Sequence, residues 1–173
     1  GGAIFTNKER DAEMINSLRL HGKGSQKYDN VRIGINSRLD TIQAAILIEK
    51  LKIFPVEIVK RNELAKFYCK ALDGIFSLPR LSSNHESVWA QFTLISESRN
   101  NVLQHLSKHK VPAAVYYPKP LSQQDGYKSY PSVSSSTQIS DLLSQNVFSI
   151  PMHPYISKDQ ADNIVHILSD YKA

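Results

Sequence analysis

The chain has 173 residues, of which 41% are hydrophobic and 21% are charged, and its formal net charge is +5 at pH 7. This length and apolar content argue against wholesale disorder and favour one globular domain, or one domain with part of another. The basic residues are scattered rather than clustered, which argues against a nucleic-acid footprint and leaves a phosphorylated small molecule as an equally suitable anionic partner.

The first forty residues predict a short strand, a helix and a glycine-rich loop. Residues 3–6 are β-prone, and over 8–20 the apolar residues recur at roughly helical spacing. Gly22 and Gly24 then end the helix. The mixed stretch 27–37 predicts a loop or a short extended segment.

Two helices are predicted next, separated by a proline. Asp40 can cap a helix over 41–51, and this helix is expected to be buried because its middle is apolar nearly all round. A second helix is predicted after Pro55, from about 56 to 72, with a charged solvent face.

The remainder alternates between strands and helices. Strands are predicted over 88–95, 111–117 and 147–150, helices over 99–109, 139–143 and 158–171, and a polar surface loop over 124–136. This order predicts the α/β class, with an open α/β layer. A boundary between 72 and 79 would separate a mostly helical part, residues 1–74, from a small α/β domain, residues 75–173.

Several common sites are absent from the sequence or disfavoured by it. The chain contains neither a GxGxxG nor a GxxxxGK[ST] phosphate loop. His105 and His109 have i,i+4 spacing without the glutamate of a zinc-protease motif, so a solvated helix face is favoured and no metal site is predicted. Cys69, the only cysteine, lies among apolar residues and is more typical of a core residue than of a nucleophile.

The sequence also predicts the cellular compartment and whether the chain spans a membrane. A single cysteine allows no intrachain disulfide, which is typical of a reducing compartment. No apolar run approaches the roughly 20 residues that span a bilayer. We therefore expect a cytoplasmic protein without a membrane partner.

Three polar clusters could carry chemistry. In the first, residues 34–40, Asn36 and Ser37 can donate hydrogen bonds to a phosphate, and Arg38 can bind a carboxylate or phosphate through two parallel hydrogen bonds. An equally good interpretation is that Ser37 and Asp40 cap the helix while Arg38 pairs with an acid.

The second and third clusters have both functional and structural interpretations. Tyr116 and Tyr117 end a predicted strand, where α/β layers commonly bind ligands, although tyrosines at the edge of a core are the commoner case. Residues 151–155 form a proline-bounded turn for which a purely structural role is the alternative.

Five segments together resemble one family. They are residues 21–22, 27–34, 36–47, 116–121 and 149–155. In this order they resemble the DegT/DnrJ/EryC1/StrS sugar aminotransferases, most closely the branch that aminates C3 of a UDP-linked 2-acetamido-3-keto-uronic acid for surface polysaccharide such as O-antigen. The resemblance implies the C-terminal part of a fold type I transferase: the end of the large cofactor-binding domain, the small α/β domain, and a homodimer with shared active sites.

The resemblance also implies pyridoxal 5'-phosphate as the cofactor and ping-pong transamination, with glutamate as the usual amino donor and a nucleotide-linked keto-sugar as substrate. Asn36 would reach the cofactor phosphate of the other subunit, and Arg38 would bind an acidic group of the donor or the sugar. Tyr116 and Tyr117 would line the sugar pocket. One residue departs from the family pattern, because Ser122 stands where many relatives have histidine.

The same resemblance places the Schiff-base lysine before Gly1, so no catalytic residue is assigned within this chain, and the chain alone is expected to be inactive. Lys23 and Lys27 lie in the wrong motif to replace that lysine. Two alternatives stay open: a non-catalytic or regulatory relative of the family, and a nucleotide-binding or basic interaction domain whose nucleic-acid affinity falls with salt.

Overall fold

A computed structural model describes residues 2–26, 28–131 and 137–171 of the chain. In the order of the chain, these residues form α1 (Glu9–Leu18), α2 (Thr41–Ala71), β1 (Phe92–Ile95), α3 (Arg99–Lys108), α4 (Gln138–Asn146), β2 (Val147–Ile150) and α5 (Lys158–Ser169), with a 3-10 turn (Leu121–Gln123) before α4. The chain divides into two compact units, Gly1–Phe54 and Pro55–Ala173. The predicted domain boundary near residue 74 stays a prediction about the domains of the intact protein.

In the first unit, α1 is followed by a loop that folds back on the end of the helix. Short antiparallel bridges join Leu20 to Asn36 and Lys23 to Asn30. The buried Ser17 hydroxyl donates to the Lys23 carbonyl at 2.7 Å and accepts from Arg32 Nη1 at 2.9 Å. The predicted loop or extended segment over 27–37 is therefore confirmed for its described residues, whereas Lys27 lies outside them.

Glycine is required at two points of this loop because backbones approach closely there. Gly22 has φ +75°, and a Cβ at this position would lie 1.8 Å from the Arg32 carbonyl oxygen. A Cβ on Gly34 would lie 2.2 Å from the Gly22 nitrogen. Any side chain at either position would therefore push the two arms of the loop apart.

The two helices predicted on either side of Pro55 form one helix, α2. That prediction was wrong because proline, although it lacks an N–H, has a φ close to the helical value and can be accommodated at the loss of one backbone hydrogen bond. The expected burial of the first half was also wrong. Ile42 is 78% exposed and Leu51 is 65% exposed, since no described residue covers this face.

The second unit is built around a small antiparallel sheet. β1 pairs with β2 in the register Phe92↔Ile150 to Ile95↔Val147. On the other edge of β2, Ala114 and Ser149 exchange two backbone hydrogen bonds, at 3.0 and 2.7 Å. On the other edge of β1, the Ile95 amide donates to the Ser77 carbonyl at 3.1 Å, so both strands have a bridge partner on their outer edge.

The predicted strands are confirmed in part. β2 has the predicted bounds, but the strand over 88–95 is confined to Phe92–Ile95, and that over 111–117 is reduced to the bridge at Ala114. Trp89, at φ +48°, cannot continue a strand, and Pro112 has no N–H to donate to a ladder. Residues 3–6 form no strand, because no described segment pairs with them.

The predicted helices of this unit are confirmed within one to three residues at most ends. α3 ends one residue before the helix predicted over 99–109, and α5 ends two residues before that predicted over 158–171. α4 begins one residue before the predicted start at 139 and continues to Asn146. Of the predicted loop over 124–136, residues 124–131 are irregular, and residues 132–136 lie outside the described part. None of the helices in the described part is long and apolar enough to cross a membrane.

Helices pack on this sheet around one apolar core. The largest fully buried side chains come from α2 and the residue that follows it, both strands, α3 and α5: Tyr68, Leu72, Phe92, Leu94, Val102, Leu106, Phe148 and Leu168. Val102 and Leu106, four residues apart on one face of α3, are both fully buried. The mixture of helices and strands also confirms the predicted α/β class.

Polar groups of α2 fix the turn that follows β2. The Tyr68 hydroxyl donates to the Pro151 carbonyl at 3.1 Å. Arg61 Nη1 donates to the carbonyls of Trp89 and Met152 at 2.9 and 3.2 Å. These contacts support the structural interpretation of residues 151–155.

Candidate functional site

A cleft of about 710 Å³ in the first unit contains the arginine predicted to bind substrate. Its lining residues are Gly2, Ala3, Ile4, Ile15, Asn16, Arg19, Ser37, Arg38, Leu39 and Gln43. They come from the N-terminal segment, the end of α1, the extended segment before α2 and the first turn of that helix. The cleft thus gathers polar donors from residues far apart in the sequence.

Backbone hydrogen bonds position the two sides of this cleft. The Ser37 amide donates to the Arg19 carbonyl at 3.0 Å, and the His21 amide donates to the Ile35 carbonyl at 3.0 Å. The Leu20↔Asn36 bridge lies between these contacts. The end of α1 and the segment that carries Arg38 are therefore joined by main-chain contacts that do not depend on the side chains of the cleft.

The charge of the cleft is positive. Arg19 and Arg38 both line it, and none of the lining residues is acidic. Arg38 makes no ion pair or side-chain hydrogen bond with any described residue, which disfavours the interpretation that it pairs with an acid of this chain. A guanidinium without a protein partner is suited to a carboxylate or phosphate ligand.

Asn36 and Ser37 are exposed and have the donor chemistry that a phosphate requires. Neither side chain forms a hydrogen bond to another described residue. Ser37 lines the cleft, whereas Asn36 lies beside it and does not. The donor set of Asn36 and Ser37 therefore fits a phosphate group, although the structure assigns Asn36 no place in the cleft.

The predicted tyrosines line a separate cleft in the second unit, of about 680 Å³. Tyr116 is 44% exposed, Tyr117 is 72% exposed, and their ring centroids are 5.8 Å apart with an edge-to-face orientation. Ser122, the departure from the family pattern, lines the same cleft, as does Lys119. The lining thus includes two phenol rings, several aliphatic hydroxyls and one ammonium, a set suited to a polar ring carrying an anionic group.

Of the four predicted site residues, Asn36 and Arg38 belong to the first unit, and Tyr116 and Tyr117 belong to the second. Arg19 is a residue of the first cleft that the sequence did not reveal. It follows α1 without any motif that marks it as a ligand, and only the folding-back of the loop brings it beside Arg38.

The only cysteine belongs to the core side of α2. Burial raises the pKa of the Cys69 thiol, and the negative charge of Asp73 raises it further. Both effects disfavour the thiolate, so the geometry supports a core cysteine rather than a nucleophile.

Comparison with known proteins identifies the family. The family model described as the DegT/DnrJ/EryC1/StrS aminotransferase family matches residues 1–169. The chain belongs to this family. The predicted family membership is thereby confirmed over nearly the whole sequence.

Among curated relatives, the chain is 40% identical over 160 residues to a UDP-2-acetamido-2-deoxy-3-oxo-D-glucuronate aminotransferase of Pseudomonas aeruginosa, covering 90% of this chain and 43% of the relative. It is 32% identical over 172 residues to a dTDP-3-amino-3,6-dideoxy-alpha-D-galactopyranose transaminase of Aneurinibacillus thermoaerophilus, covering 99% of this chain and 47% of that relative. The chain therefore spans just under half the length of these relatives.

A solved structure extends the similarity to the fold. The crystal structure of a DegT DnrJ EryC1 StrS aminotransferase from Brucella abortus superposes with a TM-score of 0.89 at 42% identity, covering 95% of this chain and 44% of that one. The predicted fold class, the C-terminal part of a fold type I transferase, is thus confirmed.

Proposed function

We propose that the intact protein is a pyridoxal-phosphate-dependent aminotransferase that aminates C3 of a UDP-linked 2-acetamido-3-keto-uronic acid, for surface polysaccharide. The similarity to the Pseudomonas aeruginosa aminotransferase, at 40% identity over 90% of this chain, carries the proposal. In the overall reaction, the amino group of glutamate replaces the ketone oxygen of the sugar, and glutamate becomes 2-oxoglutarate.

The cofactor supplies the reversible covalent chemistry of amino-group transfer when it is bound. The part assigned to this chain is to hold charged groups in position. In this proposal, Asn36 donates a hydrogen bond to the cofactor phosphate of a partner subunit, as the family resemblance implies. Its exposed amide, without a partner among the described residues, supports this role.

Arg38 binds a carboxylate or phosphate of the donor or sugar substrate. Its position in a cleft lined by no acidic residue supports this role, because an anion there would meet two guanidinium groups and no opposing charge.

Tyr116 and Tyr117 line the pocket for the sugar. Their partly exposed rings and hydroxyls can pack on an apolar face of the sugar and bond to its hydroxyl groups. Ser122 is shorter than the histidine of many relatives, so any contact made by that histidine is lost or passes to another residue. We propose that Lys119, in the same cleft, takes part in holding the acidic portion of the substrate.

None of the lysines in this chain is proposed as the Schiff-base residue, and no lysine lines the cleft of Arg38 among the described residues. The homodimer with shared active sites is likewise proposed from the family. Accordingly, the 173-residue chain mixed with pyridoxal 5'-phosphate and then reduced with borohydride should gain no specific covalent label. A single labelled lysine would overturn this assignment.

The decisive experiment is a transamination assay with the intact protein. Glutamate and the UDP-linked 3-keto-uronic acid should give 2-oxoglutarate and the amino sugar, both identified by mass spectrometry. Arg38→Gln should lower kcat/KM by at least about tenfold, as expected for loss of a charge-assisted hydrogen bond. The matched control, Arg10→Gln on the exposed surface of α1, should not.

Three results are informative. Turnover with the 3-keto-uronic acid supports the proposal in full, and turnover only with another nucleotide-linked keto-sugar would overturn the substrate but keep the aminotransferase activity. Absence of turnover with every keto-sugar, in protein that has bound the cofactor, would favour the non-catalytic or regulatory relative.

A further inference from the structure

We propose that Arg19 is a second anion-binding arginine of the cleft, and that it acts with Arg38 on a ligand carrying two anionic groups. This inference rests on the proposed function, because it takes the cleft of Arg38 to be a substrate site. It adds a residue that the sequence motifs do not assign.

Main-chain contacts fix the placement of Arg19. Its carbonyl accepts from the Ser37 amide at 3.0 Å, next to the Leu20↔Asn36 bridge. Ser37 is the residue before Arg38, so the two arginines leave main chains that are hydrogen-bonded to each other. The main chains of the two arginines are therefore held at one cleft before a ligand binds, and such preorganisation lowers the entropic cost of binding.

Among the described residues, the Arg19 guanidinium has a hydrogen-bond partner for its Nε only. Its Nε donates to Asn16 Oδ1 at 3.0 Å, which orients the planar group. Its two terminal nitrogens make no hydrogen bond to a described residue. By contrast, a terminal nitrogen of Arg32, in the same loop, donates a hydrogen bond to the buried Ser17 hydroxyl, which is typical of an arginine with a structural role.

The charges that line the cleft also favour a ligand with two anionic groups. Two like charges that line one cleft repel each other, and none of the lining residues is an acid that could offset this repulsion. An anionic ligand removes the repulsion and gains two charge-assisted contacts. The favoured ligand is therefore one with two anionic groups, rather than a single monoanion.

Two substrates of the proposed reaction have this chemistry. The amino donor is a dicarboxylate, and the nucleotide-linked uronic acid carries a diphosphate as well as a carboxylate. The shared feature is a pair of oxyanions on one molecule. Two simple probes distinguish these substrates: 2-oxoglutarate represents the amino donor, and pyrophosphate represents the diphosphate of the nucleotide.

The test is isothermal titration of the 173-residue chain with each probe at low ionic strength, since screening weakens exposed charge pairs. We expect one probe to bind, and Arg19→Gln to weaken its binding by at least about tenfold. Arg19→Lys keeps the charge but not the planar fork, so it should retain part of the affinity. Arg10→Gln, on the exposed face of α1, should change affinity by less than about twofold.

The outcomes distinguish this inference from the proposed function. If Arg38→Gln abolishes binding while Arg19→Gln does not change it, the inference is overturned and the role proposed for Arg38 stands. If both variants bind as the wild type does, Arg19 and Arg38 are both wrongly assigned. If the wild-type chain binds neither probe, the inference is overturned, while the transamination assay still decides the proposed function. Far-UV circular dichroism and exchange of the Ser37 amide check that each variant keeps the fold.

Discussion

The Gly22 carbonyl oxygen accepts hydrogen bonds from the Val31 and Arg32 amides, at 2.9 and 3.2 Å. Gly22 and Arg32 thus lie at the crossing of the loop after α1, the point where its two arms approach each other. This loop positions Arg19 beside Arg38. The cationic cleft depends on this crossing, because the loop connects the end of α1 with the segment before α2.

Replacement of Gly22 by alanine should open this crossing. The new Cβ would lie 1.8 Å from the Arg32 carbonyl oxygen, and φ +75° is unfavourable for any residue with a side chain. We expect the amides of Gly24 and Val31 to exchange at least about tenfold faster with solvent, as measured by hydrogen exchange with NMR detection.

Gly74→Ala is the matched control for this substitution. Gly74 has nearly the same φ, +76°, but its Cβ would meet no atom within 4 Å. It should cost only the conformational strain, about 1 kcal/mol. Equal losses of local protection at the two sites would show that φ alone, and not the close approach, accounts for the effect.

Arg61 should stabilise the second unit through the two carbonyls that it joins. Arg61→Gln removes the hydrogen bonds to Trp89 and Met152, and we expect the free energy of unfolding to fall by about 2 kcal/mol in urea denaturation. Lys66→Gln, at an exposed position of the same helix, should change it by less than about 0.5 kcal/mol. A loss no larger than that of the control would mean that water replaces the guanidinium at both carbonyls.

The regular elements of the second unit could be predicted from sequence wherever local pattern and packing agree. Val102 and Leu106 share one face of α3 and lie in the core, as the helical spacing predicts. The predictions failed where a single residue or a distant partner decided the outcome. The φ of Trp89 shortens β1, and α2 continues through Pro55 although proline usually ends a helix.

Of the candidate site, only the residues that belong to recognisable sequence motifs could be predicted. The residue types of Asn36, Arg38, Tyr116 and Tyr117 indicate ligand chemistry, and the structure leaves all four at least partly exposed. Their neighbours could not be predicted in this way. Arg19 reaches the cleft through backbone contacts with a segment 18 residues further along the chain, and hydrophobic periodicity carries no information on such contacts.

Cys69 should react slowly with iodoacetamide, because burial and the nearby Asp73 both raise the pKa of its thiol. Asp73→Asn removes only the second cause, so alkylation at pH 8 should become faster by less than about tenfold. The rate is measured by mass spectrometry under native conditions. Glu63→Gln removes a charge elsewhere on α2 and serves as the control; an equal acceleration there would indicate a general effect of net charge.

Tyr68 should make stability depend on pH in the alkaline range. Burial raises the pKa of its hydroxyl from 10.0 to about 12. In the folded chain the neutral form is therefore retained to higher pH than in the unfolded chain. Between pH 10 and 12 the unfolded state binds fewer protons at this group, so the free energy of unfolding falls as pH rises.

Tyr68→Phe separates this effect from the other groups that titrate at alkaline pH. At pH 8 the variant should be less stable by about 1 kcal/mol, because it loses the hydrogen bond to the Pro151 carbonyl. Above pH 10 only the wild type loses the stability contributed by the neutral hydroxyl, so the difference should shrink and then reverse. Guanidinium denaturation at pH 8, 9, 10 and 11 measures the difference. A constant difference over this range would contradict the raised pKa, whatever its size at pH 8.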